Sequence, residues 1–207
     1  MATDTDLEYL RSIAESGRQA PLLGGRYFVW WGLLAAVALL VHWSILTGAL
    51  SAPPSMVGAV WFGYGIIGMI GSRVLSLGLR GKPGIGAVGN LAERAVWNGV
   101  TATIFFYAIG TTIAVALDRG NLILFDTIPV IAFCGYGISF HVTAAMGGPG
   151  WMKPMAWTSW TAAAGGLYFV GTPELYLYAA GVVLLLALLP GLIILRDEPK
   201  GGQIGDE

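Results

Sequence analysis

The longest charge-free stretch of the chain runs from Tyr27 to Ser72 and reads YFVWWGLLAAVALLVHWSILTGALSAPPSMVGAVWFGYGIIGMIGS. Over these 46 residues there is no Asp, Glu, Lys or Arg. A transmembrane helix needs about 20 apolar residues to cross about 30 Å of hydrocarbon. The stretch therefore holds two helices, and Ser51–Pro54 (SAPP) is the predicted turn between them.

Four further charge-free windows are each long enough for one helix and too short for two. They are 20 to 26 residues long and cover Ala95–Leu117, Thr127–Met152, Pro154–Pro173 and Leu175–Leu195. We therefore predict an all-α polytopic membrane protein built as a bundle of six transmembrane helices. It divides into a cytoplasmic segment over residues 1–26, a transmembrane domain over residues 27–195 and a flexible cytoplasmic tail over residues 196–207.

Local signals refine the helix ends. Asn90–Glu93 resembles a capping box, which predicts that the third helix begins near Leu91. Asp126 is predicted to cap the fourth helix. Pro190 is predicted to bend the sixth helix near its end, because proline cannot continue the helical hydrogen-bond pattern.

The composition agrees with a membrane protein. Of the 207 residues, 56% are hydrophobic and 11% are charged, and the mean hydropathy is +0.70. Soluble domains carry about 25% charged residues. The formal net charge of −1 leaves no basic excess, so we expect no nucleic-acid partner. The single cysteine, Cys134, cannot form an internal disulfide.

The distribution of Lys and Arg predicts the orientation of the chain. With the loops assigned alternately to two sides, ten basic residues share the side of both termini, and Arg119 stands alone on the other. Cytoplasmic loops carry the excess of Lys and Arg, so we expect both termini in the cytoplasm and a bacterial inner membrane as the location. The leader before the first helix is longer and less basic than that of a signal peptide, so we expect no cleavage there.

Related sequence elements recur along the chain. A basic residue followed by Trp opens the first, third and fifth helices at Arg26–Trp30, Arg94–Trp97 and Lys153–Trp157, and Gly-Tyr-Gly-Ile occurs at residues 63–66 and 135–138. Parallel repeats of two spans produce such a pattern. The open alternative is that every outward-running helix favours a basic residue and a Trp at its cytoplasmic start.

With three duplicated hairpins in 207 residues, the chain resembles the acid-resistance membrane protein family of bacteria. It is also similar to uncharacterised six-span inner-membrane proteins of Gram-negative bacteria. The resemblance implies a three-hairpin topology and transfers no functional residue. The third hairpin departs from the pattern, since its second helix is rich in Leu and lacks the Gly-Tyr-Gly-Ile element.

No motif for catalysis, metal binding or cofactor binding occurs in a suitable context. The segment Gly84–Gly89 matches G-x-G-x-x-G, but it lies between two predicted transmembrane helices, whereas a dinucleotide fingerprint follows a β-strand. His42 and His141 are predicted at different depths, which argues against a shared haem or metal ion. We therefore predict no catalytic residue, no metal ligand and no cofactor.

Three groups of residues are candidate contact sites. The apolar face of a short amphipathic N-terminal helix is predicted to rest on the bilayer surface, on cytoplasmic loops or on a protein partner, and consists of Leu7, Leu10 and Ile13. Basic residues of the second loop are predicted to contact anionic headgroups, namely Arg73, Arg80 and Lys82. A polar site inside the membrane is predicted at Tyr64, Asn98 and Tyr136.

These observations favour a non-catalytic integral membrane protein that serves as an accessory, assembly or regulatory component. Its partners would be the lipid bilayer and either another protein or further copies of itself. The alternative is a carrier, or a substrate-binding subunit, for a small uncharged solute. That alternative predicts a cavity at the polar site inside the membrane, and a solid core there would contradict it.

Overall fold

The computed structural model describes residues 20–198, and helices make up most of this range. In chain order they are α1 (Gly25–Leu46), α2 (Met56–Leu77), α3 (Val88–Ala116), α4 (Ile123–Ala145), α5 (Met152–Leu167), α6 (Glu174–Val183), a π-helical segment (Leu184–Leu188) and α7 (Leu189–Arg196). There is no strand among residues 20–198, so the all-α prediction is confirmed there.

Five helices are long and apolar enough to cross a membrane. They are α1 to α4 and the continuous rod Glu174–Arg196, which joins α6, the π-helical segment and α7. α1 and α2 occupy the first charge-free stretch and are separated at the predicted turn. α5 has 16 residues, which is about 24 Å at 1.5 Å per residue and short of the hydrocarbon thickness. The predicted count of six spans is therefore not confirmed by helix length.

The C-terminal rod departs from α geometry directly before Pro190. Proline has no N–H to donate to the carbonyl four residues earlier, and its ring crowds that carbonyl. Here that carbonyl belongs to Leu186, which lies inside the π-helical segment Leu184–Leu188. The wider π turn accommodates the proline, so the distortion expected near the end of the last helix takes this form.

The helices form two groups around one core. α1 packs on α2 and on the C-terminal rod, while α4 packs on α3 and α5. Phe28 of α1 joins the groups, because its ring centroid lies 4.6 Å from that of Trp97 on α3 and 5.9 Å from that of Phe140 on α4. α5 and α6 pack mainly on other helices, α5 on α4 and α6 on α1. The predicted three-hairpin arrangement is therefore not confirmed.

Glycines bring α1 and the C-terminal rod into close backbone contact. A Cβ atom on Gly191 would lie 2.8 Å from the backbone nitrogen of Val29, and one on Gly32 would lie 2.9 Å from the Cβ atom of Ala187. Gly25 faces the carbonyl of Gly191 in the same way, at 2.9 Å. Helices in lipid associate through such close approaches at small residues.

α2 and α3 lie at the edge of the bundle. Gly68 is the one buried residue of the 22 in α2, and its space for a Cβ atom is filled by the indole ring of Trp31. Of the 29 residues of α3, only Asn90, Glu93 and Thr111 are buried. α2 packs on α1 and α3 packs on α4, and the two do not pack on each other along their length. Both helices therefore leave broad apolar faces uncovered.

Candidate functional site

A buried amide ties the segment before α1 to the start of α3. The Asn90 Oδ1 atom accepts a hydrogen bond from the backbone N–H of Leu23 at 2.9 Å. The Asn90 Nδ2 atom donates to the carbonyls of Pro21, at 2.9 Å, and Gly84, at 3.0 Å. α3 begins at Val88, not near Leu91, and its N-cap Ala87 makes no side-chain cap bond. The predicted capping box is therefore wrong, because its Asn caps a neighbouring segment instead of its own helix.

The Glu93 carboxylate is buried beside that amide. The residue is 4% exposed, and its Oε1 atom has no hydrogen-bond partner within residues 20–198. A Cβ atom on Gly24 would lie 2.6 Å from this Oε1, so the backbone packs directly on the carboxylate. A buried carboxylate is costly unless it is paired and hydrogen-bonded. Asn90 and Glu93 together hold the segment before α1 against the start of α3.

An ion-pair cluster joins the two ends of the described chain. The side chain of Glu198, 5% exposed, accepts from Arg26 Nε at 3.2 Å and also pairs with Lys82 Nζ. The start of α1, the α2–α3 loop and the residues after α7 therefore lie together at one end of the bundle. Glu198 is the last described residue of the predicted flexible tail, and residues 199–207 of that tail lie outside the described residues.

A second polar cluster lies at the opposite end, where α4 begins. Asp126 Oδ2 accepts from the backbone N–H of Gly171 at 2.9 Å, and Asp126 Oδ1 accepts from the Tyr176 hydroxyl at 2.5 Å. The Tyr176 ring lies 3.6 Å from the His42 ring, centroid to centroid. His42 Nδ1 accepts in turn from Trp61 Nε1 at 3.2 Å. This Asp126 cluster connects α1, α2, α4 and α6, and Asp126 makes these tertiary bonds in place of the predicted cap.

Aromatic rings pack in two sets, one on α1 and α2 and the other on α1, α3 and α4. The ring of Tyr64 lies 5.2 Å from that of Trp31, and the ring of Tyr136 lies 5.1 Å from that of Trp97. Tyr64 and Tyr136 are each the tyrosine of a Gly-Tyr-Gly-Ile element, so both copies of the tetrapeptide place a tyrosine against tryptophan rings.

The sequence-predicted site residues fall in separate environments. Arg73 and Arg80 are exposed, whereas Lys82 is engaged by Glu198. Tyr64 on α2 and Tyr136 on α4 are partly buried, while Asn98 is exposed on α3. The N-terminal contact residues Leu7, Leu10 and Ile13 lie outside the described residues. Contact with headgroups and binding at the polar site stay predictions.

One open depression lies on the surface beside α6. Its lining consists of Phe169, Glu174, Leu177, Tyr178, Gly181 and Val182. Tyr64, Asn98 and Tyr136 do not line it, so it is not the cavity that the carrier alternative predicts. Aromatic rings fill the space around Tyr64 and Tyr136 instead.

No protein-family model, curated protein or solved structure matches the chain. The resemblance to the acid-resistance membrane protein family therefore remains a prediction from the recurring sequence elements.

Sequence reasoning missed the two polar clusters. The partners in each pair are far apart in the chain, such as Leu23 with Asn90 and Asp126 with Tyr176. The available signal was a polar residue inside an otherwise apolar helical turn. For Asn90, Glu93 and Asp126 that signal was assigned to helix capping, which is the commoner role for such residues near a helix start.

Proposed function

We propose that the protein is a non-catalytic, multi-pass protein of the bacterial inner membrane that acts as an accessory or assembly component. In this proposal α2 packs on a helix of another integral membrane protein. The observation that carries the proposal is the uncovered outer face of α2.

Four residues at helical spacing form this face, which we name the outer stripe: Gly58, Phe62, Gly65 and Met69. Phe62 is 72% exposed and Met69 is 62% exposed. A Cβ atom on Gly58 or Gly65 would meet no atom of the described part of the chain within 4 Å. The spacing i, i+4, i+7, i+11 places all four on one side of the helix.

Large and small side chains that alternate on a lipid-level face favour a second helix over lipid alone. Glycine inside a helix costs roughly 1 kcal/mol relative to alanine, and no contact among residues 20–198 requires glycine at positions 58 and 65. Glycine at these positions does favour contact with a helix of another protein, because the two helix backbones can approach closely at small residues. Phe62 and Met69 then supply the flanking contact area.

The proposal includes six membrane crossings with both termini in the cytoplasm. The bond from Gly171 to Asp126 supports this, because it brings the α5–α6 connection to the end where α4 begins. The ion pair between Arg26 and Glu198 brings both ends of the described chain to the other end. Both contacts agree with α5 as a short sixth crossing, and the excess of Lys and Arg assigns the termini to the cytoplasm.

Co-purification from native membranes tests the proposal. The tagged full chain would be purified in a mild detergent as the wild type, as the variant Gly58→Leu with Gly65→Leu, and as the control Gly181→Leu. Gly181 is an exposed helical glycine of α6 that also has nothing within 4 Å of its Cβ position.

We expect a stoichiometric membrane protein to accompany the wild type and the control, and to be lost from the outer-stripe variant. A partner retained by all three forms would contradict the proposed role of α2. A wild type recovered without any other protein would contradict the accessory function itself. Polar substitution of Leu7, Leu10 and Ile13 in the same experiment tests the predicted contribution of the N-terminal segment.

A further inference from the structure

The outer face of α3 carries a polar side chain that has no partner within the described chain. Asn98 is exposed, and its amide makes no hydrogen bond to residues 20–198. The neighbouring Thr103 differs, because its Oγ1 atom donates to the carbonyl of Gly99 at 2.9 Å. An amide without a hydrogen bond costs free energy in an apolar environment. Asn98 lies one helical turn inside the charge-free window Ala95–Leu117, so a partner for it must come from within the membrane.

Asn98 belongs to a face of α3 that repeats with the spacing of a coiled-coil seam. Steps of four and three residues alternate along this face, which we name the heptad face. Its eight residues are all exposed and uncharged: Leu91, Ala95, Asn98, Ala102, Phe105, Ile109, Thr112 and Ala116. This spacing places one continuous stripe along a helix and matches it to a second helix. The heptad face lies on the opposite side of α3 from the buried Glu93 and Thr111, and no helix among residues 20–198 covers it.

The heptad face combines small residues with large apolar side chains. Alanine fills three of the four positions in one of its two series, at residues 95, 102 and 116. In the other series Leu91 is 50% exposed and Phe105 is 58% exposed. A Cβ atom on Gly99, directly beside Asn98, would meet no atom of residues 20–198 within 4 Å, which leaves room for a neighbouring backbone. Helices in lipid associate through such close approaches and through hydrogen bonds between polar side chains.

We propose that the protein forms a symmetric dimer in which the heptad faces of two α3 helices pack in parallel and Asn98 pairs with the partner's Asn98. Copies that insert with the same orientation are related by a two-fold axis along the membrane normal, which brings each residue to the same residue of the second copy at the same depth. An amide complements itself, because its Nδ2 atom donates while its Oδ1 atom accepts. Two Asn98 side chains can therefore exchange two hydrogen bonds, and this self-matching favours a second copy over an unrelated helix.

Cysteine crosslinking of the full chain in native membranes tests the heptad face. In a Cys134→Ala background, which removes the single native thiol, the variants Ala102→Cys and Ile109→Cys place a thiol on the face. The controls Thr103→Cys and Gly110→Cys place it on the adjacent residues, which are exposed at nearly the same depth but lie outside the seam. We expect oxidation with copper phenanthroline to give a disulfide-linked product of twice the chain mass from positions 102 and 109, at a yield several-fold above that from positions 103 and 110.

The contribution of the amide is measured as the Kd of the dimer, from energy transfer between labelled full-length chains in vesicles of increasing lipid content. Asn98→Leu keeps a side chain of similar size but removes both exchanged hydrogen bonds, and should raise the Kd roughly ten-fold. Asn98→Gln keeps an amide and should recover part of this loss. The control Thr103→Val removes a hydroxyl that bonds within its own helix, and should leave the Kd unchanged.

Three results would overturn the inference. The first is the absence of a dimer product at positions 102 and 109, and the second is an equal yield at the control positions, which indicates random collisions. The third is an equal Kd for the wild type and Asn98→Leu. None of these results affects the proposed function, because the outer stripe lies on α2 and its test measures a different protein.

Discussion

Replacing Gly191 by alanine tests the close packing of α1 against the C-terminal rod. The new Cβ atom would lie 2.8 Å from the Cβ atom of Phe28 and from the backbone nitrogen of Val29. Backbone atoms cannot rotate away, so the helices must separate by about 0.6 Å to reach ordinary contact, and overpacking of this kind typically costs about 1–3 kcal/mol.

The control for this substitution lies on the same rod. Gly181 has nothing within 4 Å of its Cβ position. Gly181→Ala should therefore leave the free energy of unfolding unchanged or raise it by up to about 1 kcal/mol, the helix-propensity gain of alanine over glycine. The two variants add the same methyl group and differ only in the neighbouring helix.

The measurement is reversible unfolding in mixed micelles by titration with a denaturing detergent, followed by circular dichroism. We expect the unfolding midpoint to fall for Gly191→Ala and to stay or rise for Gly181→Ala. Equal midpoints for the two variants would refute the close approach of α1 and α7, because the methyl group at position 191 would then meet no steric conflict.

Four further substitutions, two of them combined in one cycle, test the polar contacts by the same unfolding measurement. Asn90→Asp keeps the acceptor for Leu23 but removes both donated hydrogen bonds, so a loss of about 1–3 kcal/mol is expected; an unchanged midpoint would show that these bonds add no net stability. Glu198→Gln removes the charge shared by two cations and should cost about 1–3 kcal/mol, and added salt should hardly reduce this cost because the side chain is 5% exposed. Tyr176→Phe and Trp61→Phe should be coupled by about 0.5–3 kcal/mol in a double-mutant cycle, whereas strict additivity would contradict a connected Asp126 cluster.

The apolar helices could be predicted from the sequence because they depend only on local composition. The absence of charges between Tyr27 and Ser72 predicted α1 and α2, and the later windows predicted α3 and α4. The length of the helix in the window Pro154–Pro173 was not predictable in the same way. Its charge-free length is sufficient, but the helix ends at Leu167, and the turn that follows it contains Gly171 at a φ of +87°.

The packing partners were not readable from sequence because small residues are necessary for helix contact but do not specify a partner. Gly65 and Gly68 are both glycines of α2, yet a Cβ atom on Gly68 would meet the ring of Trp31, whereas one on Gly65 would meet no atom of residues 20–198 within 4 Å. In the same way, the recurring hairpins predict that α5 packs on α6. Close approaches at Gly25, Gly32 and Gly191 instead allow the C-terminal rod to pack on α1. Whether a side chain occupies the space beside a glycine depends on large residues that are distant in sequence.

Photo-crosslinking in native membranes tests the central claim, that the outer stripe of α2 contacts another membrane protein, most directly. A benzophenone amino acid would replace Phe62, which is 72% exposed on α2, and in a control would replace Leu177, which is 45% exposed on α6. We predict a discrete crosslinked product that contains a second protein for position 62 and none for position 177. Crosslinks to lipid alone at position 62, or the same protein product at both positions, would contradict the account.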